Sequence, residues 1–228
     1  MRYHIDTIPV WDAAKLDGEC LFCALERKTE LGEAERYLGA SVMEPDTRIQ
    51  VNEQGFCRHH HAMLYGMSNR LGHALMLESH TAVTREKTAK ISAALRKAAD
   101  AYSAAPMAKL SRNGQAARKE LLAQADALSA MTGSCLMCAS IQENMERYLH
   151  TFFHLYQNDT EFRNKFAQCK GLCLPHMAEL LRVAVEELPP KEVAPFVKQL
   201  TEMEGANLDR IQEDISWFIK KFDYRYEK

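Results

Sequence analysis

Two short patterns of cysteine and histidine occur in the sequence, and each occurs twice. A C-x-x-C pair is followed, after a long interval, by G-x-C-x-x-H, and the two intervals differ by a single position. Three thiolates and one imidazole form a ligand set that suits a tetrahedral zinc ion. The sequence therefore predicts two bound Zn²⁺ ions per chain, one in each copy of the motif. The predicted ligands are Cys20, Cys23, Cys57 and His60 in the first copy, and Cys135, Cys138, Cys173 and His176 in the second.

Spacing alone does not choose the imidazole ligand of the first copy, where three consecutive histidines follow the third cysteine. The second copy has only His176 at this place, and its offset selects His60 over His59 and His61. Cys169 has no counterpart in the first copy. A ligand role for His59 or His61, or the replacement of His176 by Cys169, stays open.

Each predicted site fills all four positions of a tetrahedral ion with protein side chains. No position remains for water or substrate, so the predicted ions are structural and not catalytic. The sequence also contains no Gly-rich phosphate loop, no H-E-x-x-H and no G-x-S-x-G. It therefore favours a protein that is not an enzyme, with no catalytic residues, while the redox activity of either site stays open.

The segments between the motifs predict helices throughout. Apolar residues recur at intervals of three and four, and no alternating strand pattern is present. Both motifs are predicted to lie at helix N-termini, where the helix dipole favours the thiolate. We expect an all-α protein of two pseudo-repeated halves, 1–105 and 106–228, that pack into one compact body. The predicted helices cover about residues 20–39, 58–66, 69–104, 115–131, 136–157, 174–188 and 191–221.

The composition, 46% apolar and 26% charged, is that of a folded chain. Met1 to Trp11 lack the cationic start and long apolar run of a secretory signal. No apolar run is long enough to cross a bilayer. We therefore expect a cytoplasmic protein without a membrane partner, in which cysteines serve as metal ligands and not as disulfides.

The distribution of charge bears on the kind of partner. Residues 81–119 carry nine Lys and Arg against two Asp and Glu, a net charge of +7, and acidic segments flank them. Closed metal sites and helical faces favour a binding or scaffold module for another protein. The alternative is a thiol-based redox or zinc-sensing protein. A second alternative is nucleic-acid binding through residues 81–119, although Tyr102 is the only aromatic residue there that could stack on a base.

The two halves differ in the apolar residues that follow their motifs. The first copy leads into the alanine-rich residues 81–105, and the second into the apolar stripe of residues 193–222. Small side chains bury less apolar surface. The first half is therefore expected to depend more strongly on its metal.

Three segments carry a resemblance to a known family. Tyr3 to Asp12 (Y-H-I-D-T-I-P-V-W-D), the first copy of the motif, and Ser41 to Arg48 resemble a family of uncharacterised proteins from anaerobic bacteria. The family is a domain of unknown function, so the resemblance implies no reaction. The second copy is also similar to a cysteine–histidine unit of other uncharacterised bacterial proteins, which supports an all-helical architecture and an internal duplication. The matching residues are Cys135, Cys138, Tyr148, Asn158, Asp159, Gly171, Leu172, Cys173 and His176.

Overall fold

The computed structural model describes residues 5–222, and within this range the chain contains helices and no strand. Tyr3 and His4 of the N-terminal motif lie outside the described residues. The prediction of an all-helical protein is confirmed. The elements of the described range are α1 (Thr7–Lys15), α2 (Leu21–Leu38), a 3-10 turn (Ala40–Met43), α3 (Pro45–Gln54), α4 (Arg58–Gly66), α5 (Arg70–Ala104), α6 (Arg112–Ala130), α7 (Leu136–Asn158), α8 (Thr160–Phe166), α9 (Leu174–Glu187) and α10 (Pro190–Lys220).

Three short helices, α1, α3 and α8, were not predicted from the sequence. α3 begins with Pro45, which lacks an N–H that would be unpaired there anyway. It buries only Thr47 and Val51. α8 follows Asp159, whose side chain accepts hydrogen bonds from the second and third N–H groups beyond it. Helices that bury so few residues give little apolar periodicity, so the sequence pattern does not reveal them.

The chain divides into two compact units whose boundaries differ from the predicted halves. Unit one takes the described residues of Met1–Thr29 and Gln142–Lys228, and unit two is Glu30–Ile141. α2 and α7 each begin in one unit and end in the other. The expected boundary at residue 105 falls between α5 and α6, two helices that pack against each other.

Aromatic side chains fill the core of unit one. Phe152 of α7 lies at its centre, with its ring centroid 4.8 Å from that of Phe166 and 5.4 Å from that of Phe162. Phe22, which stands between the first pair of cysteines, is fully buried with its centroid 5.6 Å from that of Phe152. Edge-to-face packing of this kind stabilises a core beyond the burial of area alone. It also fixes the start of α2 in unit one.

Unit two has a smaller core of mixed side chains. The Tyr37 and Phe56 rings meet edge to face at 5.2 Å. Leu136 and Met137, the two residues between the second pair of cysteines, are both buried in this core. Its buried members are Ala34, Tyr37, Leu38, Val42, Val51, Phe56, Leu64, Met76, Cys135, Leu136 and Met137.

The pair of helices α5 and α6 in unit two carries the basic segment. The pair has little large apolar surface to bury, and Ala98, Gly114 and Ala117 are its buried residues beyond the first turns of α5. Among the described residues, none of the nine Lys and Arg side chains of 81–119 forms an ion pair. This surface therefore carries cations that have no ion-pair partner in the described structure.

The long helix α10 belongs to unit one, and the burial of its apolar residues changes along its length. Phe196 and Leu200 of its first part are fully buried. Leu208 and most of the apolar residues after it are exposed. Within the described part of the chain, no helix, α10 included, is both long enough and apolar enough to cross a membrane.

Candidate metal centres

All four cysteine motifs lie at helix N-termini. Cys20 and Cys135 immediately precede α2 and α7, and the second cysteine of each pair lies in the first helical turn. Cys57 and Cys173 are the N-cap residues of α4 and α9. Unpaired N–H groups and the positive end of the helix dipole face these sulfur atoms, which favours thiolates.

The structure combines the motifs across the two copies. In each of two clusters the four ligand atoms lie within 4.8 Å of one another. The predicted grouping, in which Cys20 and Cys23 join Cys57 and His60, is therefore wrong, although the clusters consist of the eight predicted residues. Centre one is Cys20, Cys23, Cys173 and His176, all in unit one, and centre two is Cys57, His60, Cys135 and Cys138, all in unit two.

In unit one, packing by the residue between the paired cysteines explains the crossed grouping. Phe22 contacts the His176 ring, with the two centroids 5.8 Å apart, as well as Phe152 of the aromatic core. Burial of a phenylalanine stabilises the folded chain by roughly 1.5–3 kcal/mol. The side chain next to Cys23, and not the spacing of the ligands, therefore brings this pair to the start of α9.

In unit two, hydrogen bonds to backbone carbonyls make the corresponding connection. The Leu136 N–H donates to the Gly55 carbonyl at 3.0 Å, and the Ser134 hydroxyl donates to the Gln54 carbonyl at 2.9 Å. Gly55 has a φ of 65°, and a Cβ there would lie 2.8 Å from the His80 ring. A residue without a side chain is therefore required where the two motifs of centre two meet.

The separations in centre one fit a tetrahedral ion. With Zn–S bonds of about 2.3 Å and Zn–N bonds of about 2.0 Å, sulfur atoms should lie roughly 3.8 Å apart and sulfur–nitrogen pairs roughly 3.5 Å apart. The Sγ of Cys173 lies 3.9 Å from that of Cys20 and 3.5 Å from that of Cys23. The Nδ1 of His176 lies 3.7, 3.4 and 3.0 Å from the sulfurs of Cys20, Cys23 and Cys173. The four atoms can therefore share one ion with small adjustments.

Centre two has the same geometry and uses the same imidazole nitrogen. The Nδ1 of His60 lies 3.3, 3.1 and 3.4 Å from the sulfurs of Cys57, Cys135 and Cys138. The Sγ atoms of Cys57 and Cys138 are 3.8 Å apart. Three sulfurs and one nitrogen at these distances suit a borderline-soft ion better than a hard cation that prefers oxygen.

A carboxylate lies behind each imidazole. The Nε2 of His60 is buried, makes no hydrogen bond and lies 3.3 Å from Glu30 Oε1. The Nε2 of His176 lies 3.7 Å from Glu26 Oε2. When Nδ1 binds a metal, Nε2 carries the proton, and a carboxylate beside it orients the ring and raises its basicity. Sequence analysis did not find these glutamates, because no spacing rule connects them to the motifs.

In the metal-free centres, desolvation raises the pKa of Cys20, Cys23 and Cys138 and so opposes ionisation of these three thiols. Burial raises the pKa of Cys20. Partial desolvation and the neighbouring Cys135 raise the pKa of Cys138 to about 12, although its side chain is exposed. Burial also raises the pKa of Cys57, but hydrogen bonds, first among them one from the His60 backbone, outweigh it and leave the pKa below its ordinary value. Metal binding must therefore displace protons from the thiols.

The other histidines and the extra cysteine have other partners in the described structure. His59 Nε2 lies 2.6 Å from Glu30 Oε1. His61 Nδ1 lies 3.1 Å from His73 Nε2. The Cys169 thiol donates to the Lys165 carbonyl at 3.6 Å. None of these three candidates belongs to either four-residue cluster.

Comparison with protein families gives one match along the whole chain. The model of a family described as "Family of unknown function (DUF6062)" matches residues 1–228, so the chain belongs to that family. No curated protein and no solved structure matches it. The resemblance to an uncharacterised family is thereby confirmed, and membership brings no activity with it.

The carboxylate behind His60 leads to a prediction about metal affinity. We expect Glu30→Ala to weaken metal binding at centre two by about 10–100-fold, because the imidazole loses the partner that orients it. The measurement is competition with a chromophoric chelator. Glu35→Ala is the matched control, since Glu35 is an exposed residue of the same helix. Equal affinities of the two variants would contradict a role for Glu30 at this centre.

Proposed function

We propose that this member of a family of unknown function is a two-zinc helical protein, in which both ions are structural and the folded surface binds another protein. The observation that carries the proposal is the position of the eight ligands, in two clusters with the separations of a tetrahedron. Four protein ligands leave no place for water or substrate. A scaffold role follows more readily from such centres than catalysis does.

The position of the ligands in the chain supports a structural role. Centre one connects Cys20 to Cys173, which are 153 positions apart, and centre two connects Cys57 to Cys138, which are 81 positions apart. A bound Zn²⁺ would supply a strong link between each pair of helix starts, and such a link limits the freedom of the unfolded chain. The ions would therefore stabilise contacts between segments that are distant in sequence.

An internal duplication and a reducing compartment are part of the proposal. α2 and α7 both begin one residue after the first cysteine of a pair, and α4 and α9 both have the third cysteine as N-cap. Equal helix starts around equal motifs are what a duplicated ancestor would leave. All seven cysteines of the chain are free thiols in the described structure, which suits the cytoplasm.

Metal content should report both the number of ions and the crossed grouping. We expect two zinc ions per chain by elemental analysis of protein purified without chelator. The double variant Cys20→Ser/Cys173→Ser should keep one ion, since both residues belong to centre one. The double variant Cys20→Ser/Cys57→Ser should lose both ions, and the control Cys169→Ser should keep both.

Two results would contradict this proposal. One ion or none in the unaltered chain would show that the clusters do not both bind zinc. Loss of both ions in Cys20→Ser/Cys173→Ser, with one retained in Cys20→Ser/Cys57→Ser, would restore the grouping within each copy.

The crossed grouping also changes which part of the chain should depend on metal. Centre one stands beside the aromatic core of unit one, whereas centre two belongs to unit two, whose helices α5 and α6 bury small side chains. Unit two therefore has less apolar burial to keep it folded without an ion. We therefore expect unit two, and not the first half of the sequence, to depend more strongly on its metal.

Hydrogen exchange measured separately for the two units tests this dependence. We expect Cys138→Ser to reduce protection in unit two more than Cys23→Ser reduces it in unit one. The two variants are matched, because each removes the exposed cysteine of a C-x-x-C pair. A greater loss of protection in Cys23→Ser would mean that the aromatic core of unit one cannot keep that unit folded without the ion of centre one.

A thiol-based redox or zinc-sensing role is the alternative, and the exposure of the thiols favours it. Cys23 and Cys138 are exposed, while Cys20 and Cys135 are buried. In such a reaction hydrogen peroxide would take two electrons from two thiolates, which join as a disulfide, and would be reduced to water. Cys23 and Cys173 are candidates for this pair, with sulfurs 3.5 Å apart.

Thiol reactivity separates the two roles. We expect the metal-loaded protein to keep both ions during treatment with micromolar peroxide, and its metal-site thiols to react slowly with a thiol reagent. Rapid zinc release, with formation of one disulfide per centre, would support the sensing role and count against a purely structural one.

Nucleic-acid binding remains the second alternative, and the unpaired cations of 81–119 favour it. Affinity for a polyanion should then fall steeply as salt rises. A mobility-shift assay at two salt concentrations tests it, and the absence of any shift at low salt would count against it.

A further inference from the structure

The C-terminal part of α10 carries an apolar stripe without a partner in the described structure. Leu208, Ile215, Phe218 and Phe222 are 50% to 77% exposed, and Ile211 is half-buried. Isolated exposed apolar residues are ordinary, but a continuous row of them marks an interaction surface. These five residues are called the α10 seam below.

The spacing of the α10 seam is that of a coiled coil. Its residues follow one another at intervals of three, four, three and four, which are the a and d positions of consecutive heptads. Phe222 lies just beyond the last helical residue, and its ring lies 5.0 Å from that of Phe218. Trp217 is exposed as well, but it stands roughly 130° around the helix from the seam. Exposed Ile219 flanks the seam roughly 70° around the helix, on the side opposite Asp214.

The ion pairs and side-chain hydrogen bonds that connect α10 to the rest of unit one end at Arg210, near the start of the seam. Arg210 forms an ion pair with Glu19 and donates a hydrogen bond to Asn207 at 2.8 Å. Among the described residues of α10, none after Arg210 forms an ion pair or side-chain hydrogen bond with another element. About three turns of helix thus present the seam to solvent.

We propose that two copies of this chain associate through their α10 seams, in antiparallel orientation. In that orientation Ile215 of each copy packs against Phe218 of the other, and Ile211 packs against Phe222 at both ends. The positions that flank the seam on one side, Asp214 and Lys221, then face each other across the interface. Two opposite-charge pairs result from the two-fold symmetry.

The charges select this orientation over a parallel one. In a parallel pair, Asp214 would face Ile219 of the other copy, and no opposite-charge pair would form across the seam. Within one chain Asp214 accepts from Arg210 at 3.3 Å, and the Lys221 amine lies 4.2 Å from the Trp217 ring. Both are exposed contacts within one helix, which contribute little and exchange readily.

A second copy also explains the stripe better than a lipid surface does. A helix that lies on a membrane has one broad apolar face and a cationic polar face. Here the face opposite the seam carries Asp209, Glu213 and Lys220 and is of mixed charge, and Asp214 stands beside the seam. The inference does not depend on the metal centres.

Sedimentation velocity of the full metal-loaded chain, from micromolar to sub-millimolar concentration, tests the proposal. We expect a reversible dimer. Phe218→Glu should weaken it by about tenfold or more, since a charge would replace an apolar contact at its centre. Trp217→Glu is the matched control, because it changes an equally exposed aromatic residue outside the seam, and it should leave the dimer unchanged. Circular dichroism and metal content confirm that each variant is folded.

Charge reversal tests the orientation. Asp214→Lys alone and Lys221→Asp alone should each weaken the dimer several-fold, and the double variant should restore it. Single reversals without effect, or a double variant that is no better than the singles, would overturn the antiparallel arrangement. A monomer at every concentration would overturn the proposal itself. So would binding of the monomer to anionic phospholipid vesicles that is lost in both Phe218→Glu and Trp217→Glu.

Discussion

Each centre needs two helix N-termini at once, and this requirement determines where four of the helices start. A C-x-x-C pair supplies two sulfurs from the first turn of one helix, and C-x-x-H supplies a sulfur and a nitrogen from the first turn of another. Centre one therefore brings the starts of α2 and α9 together, and centre two brings together those of α4 and α7. The helices that begin at these points extend from them into the cores of the two units.

Electrostatics makes these helix starts suitable for thiolates. Three thiolates and a neutral imidazole around a divalent ion leave about one net negative charge. The positive ends of two helix dipoles compensate for part of it. Burial lowers the pKa of His60, which favours the neutral ring that can bind through Nδ1, and the Glu30 carboxylate lies 3.3 Å from Nε2.

The two units bury apolar surface with different kinds of side chain. Unit one uses large aromatic rings around Phe152, and unit two combines a smaller core with the long helices α5 and α6, which meet through small residues. Small residues let two helices approach closely, but they remove little apolar surface from water. The surfaces that remain are a cationic one on the α5–α6 pair and an apolar one on α10, and they suit different kinds of partner.

The residues of the centres and their positions at helix starts could be predicted from the amino-acid sequence, because both properties are local. A C-x-x-C pair places its sulfurs one turn apart whatever the direction of the helix. Cys57 and Cys173 occupy the N-cap positions because α4 and α9 begin directly after them. Which motifs share a centre depends instead on contacts between residues that are distant in sequence. Phe22 enters the aromatic core beside His176, and Leu136 pairs with Gly55. Such long-range packing leaves no trace in the ligand spacing, since equal spacings in the two copies allow either grouping. For the same reason Glu30, and the exposure of α10 beyond Arg210, became visible only in the folded chain.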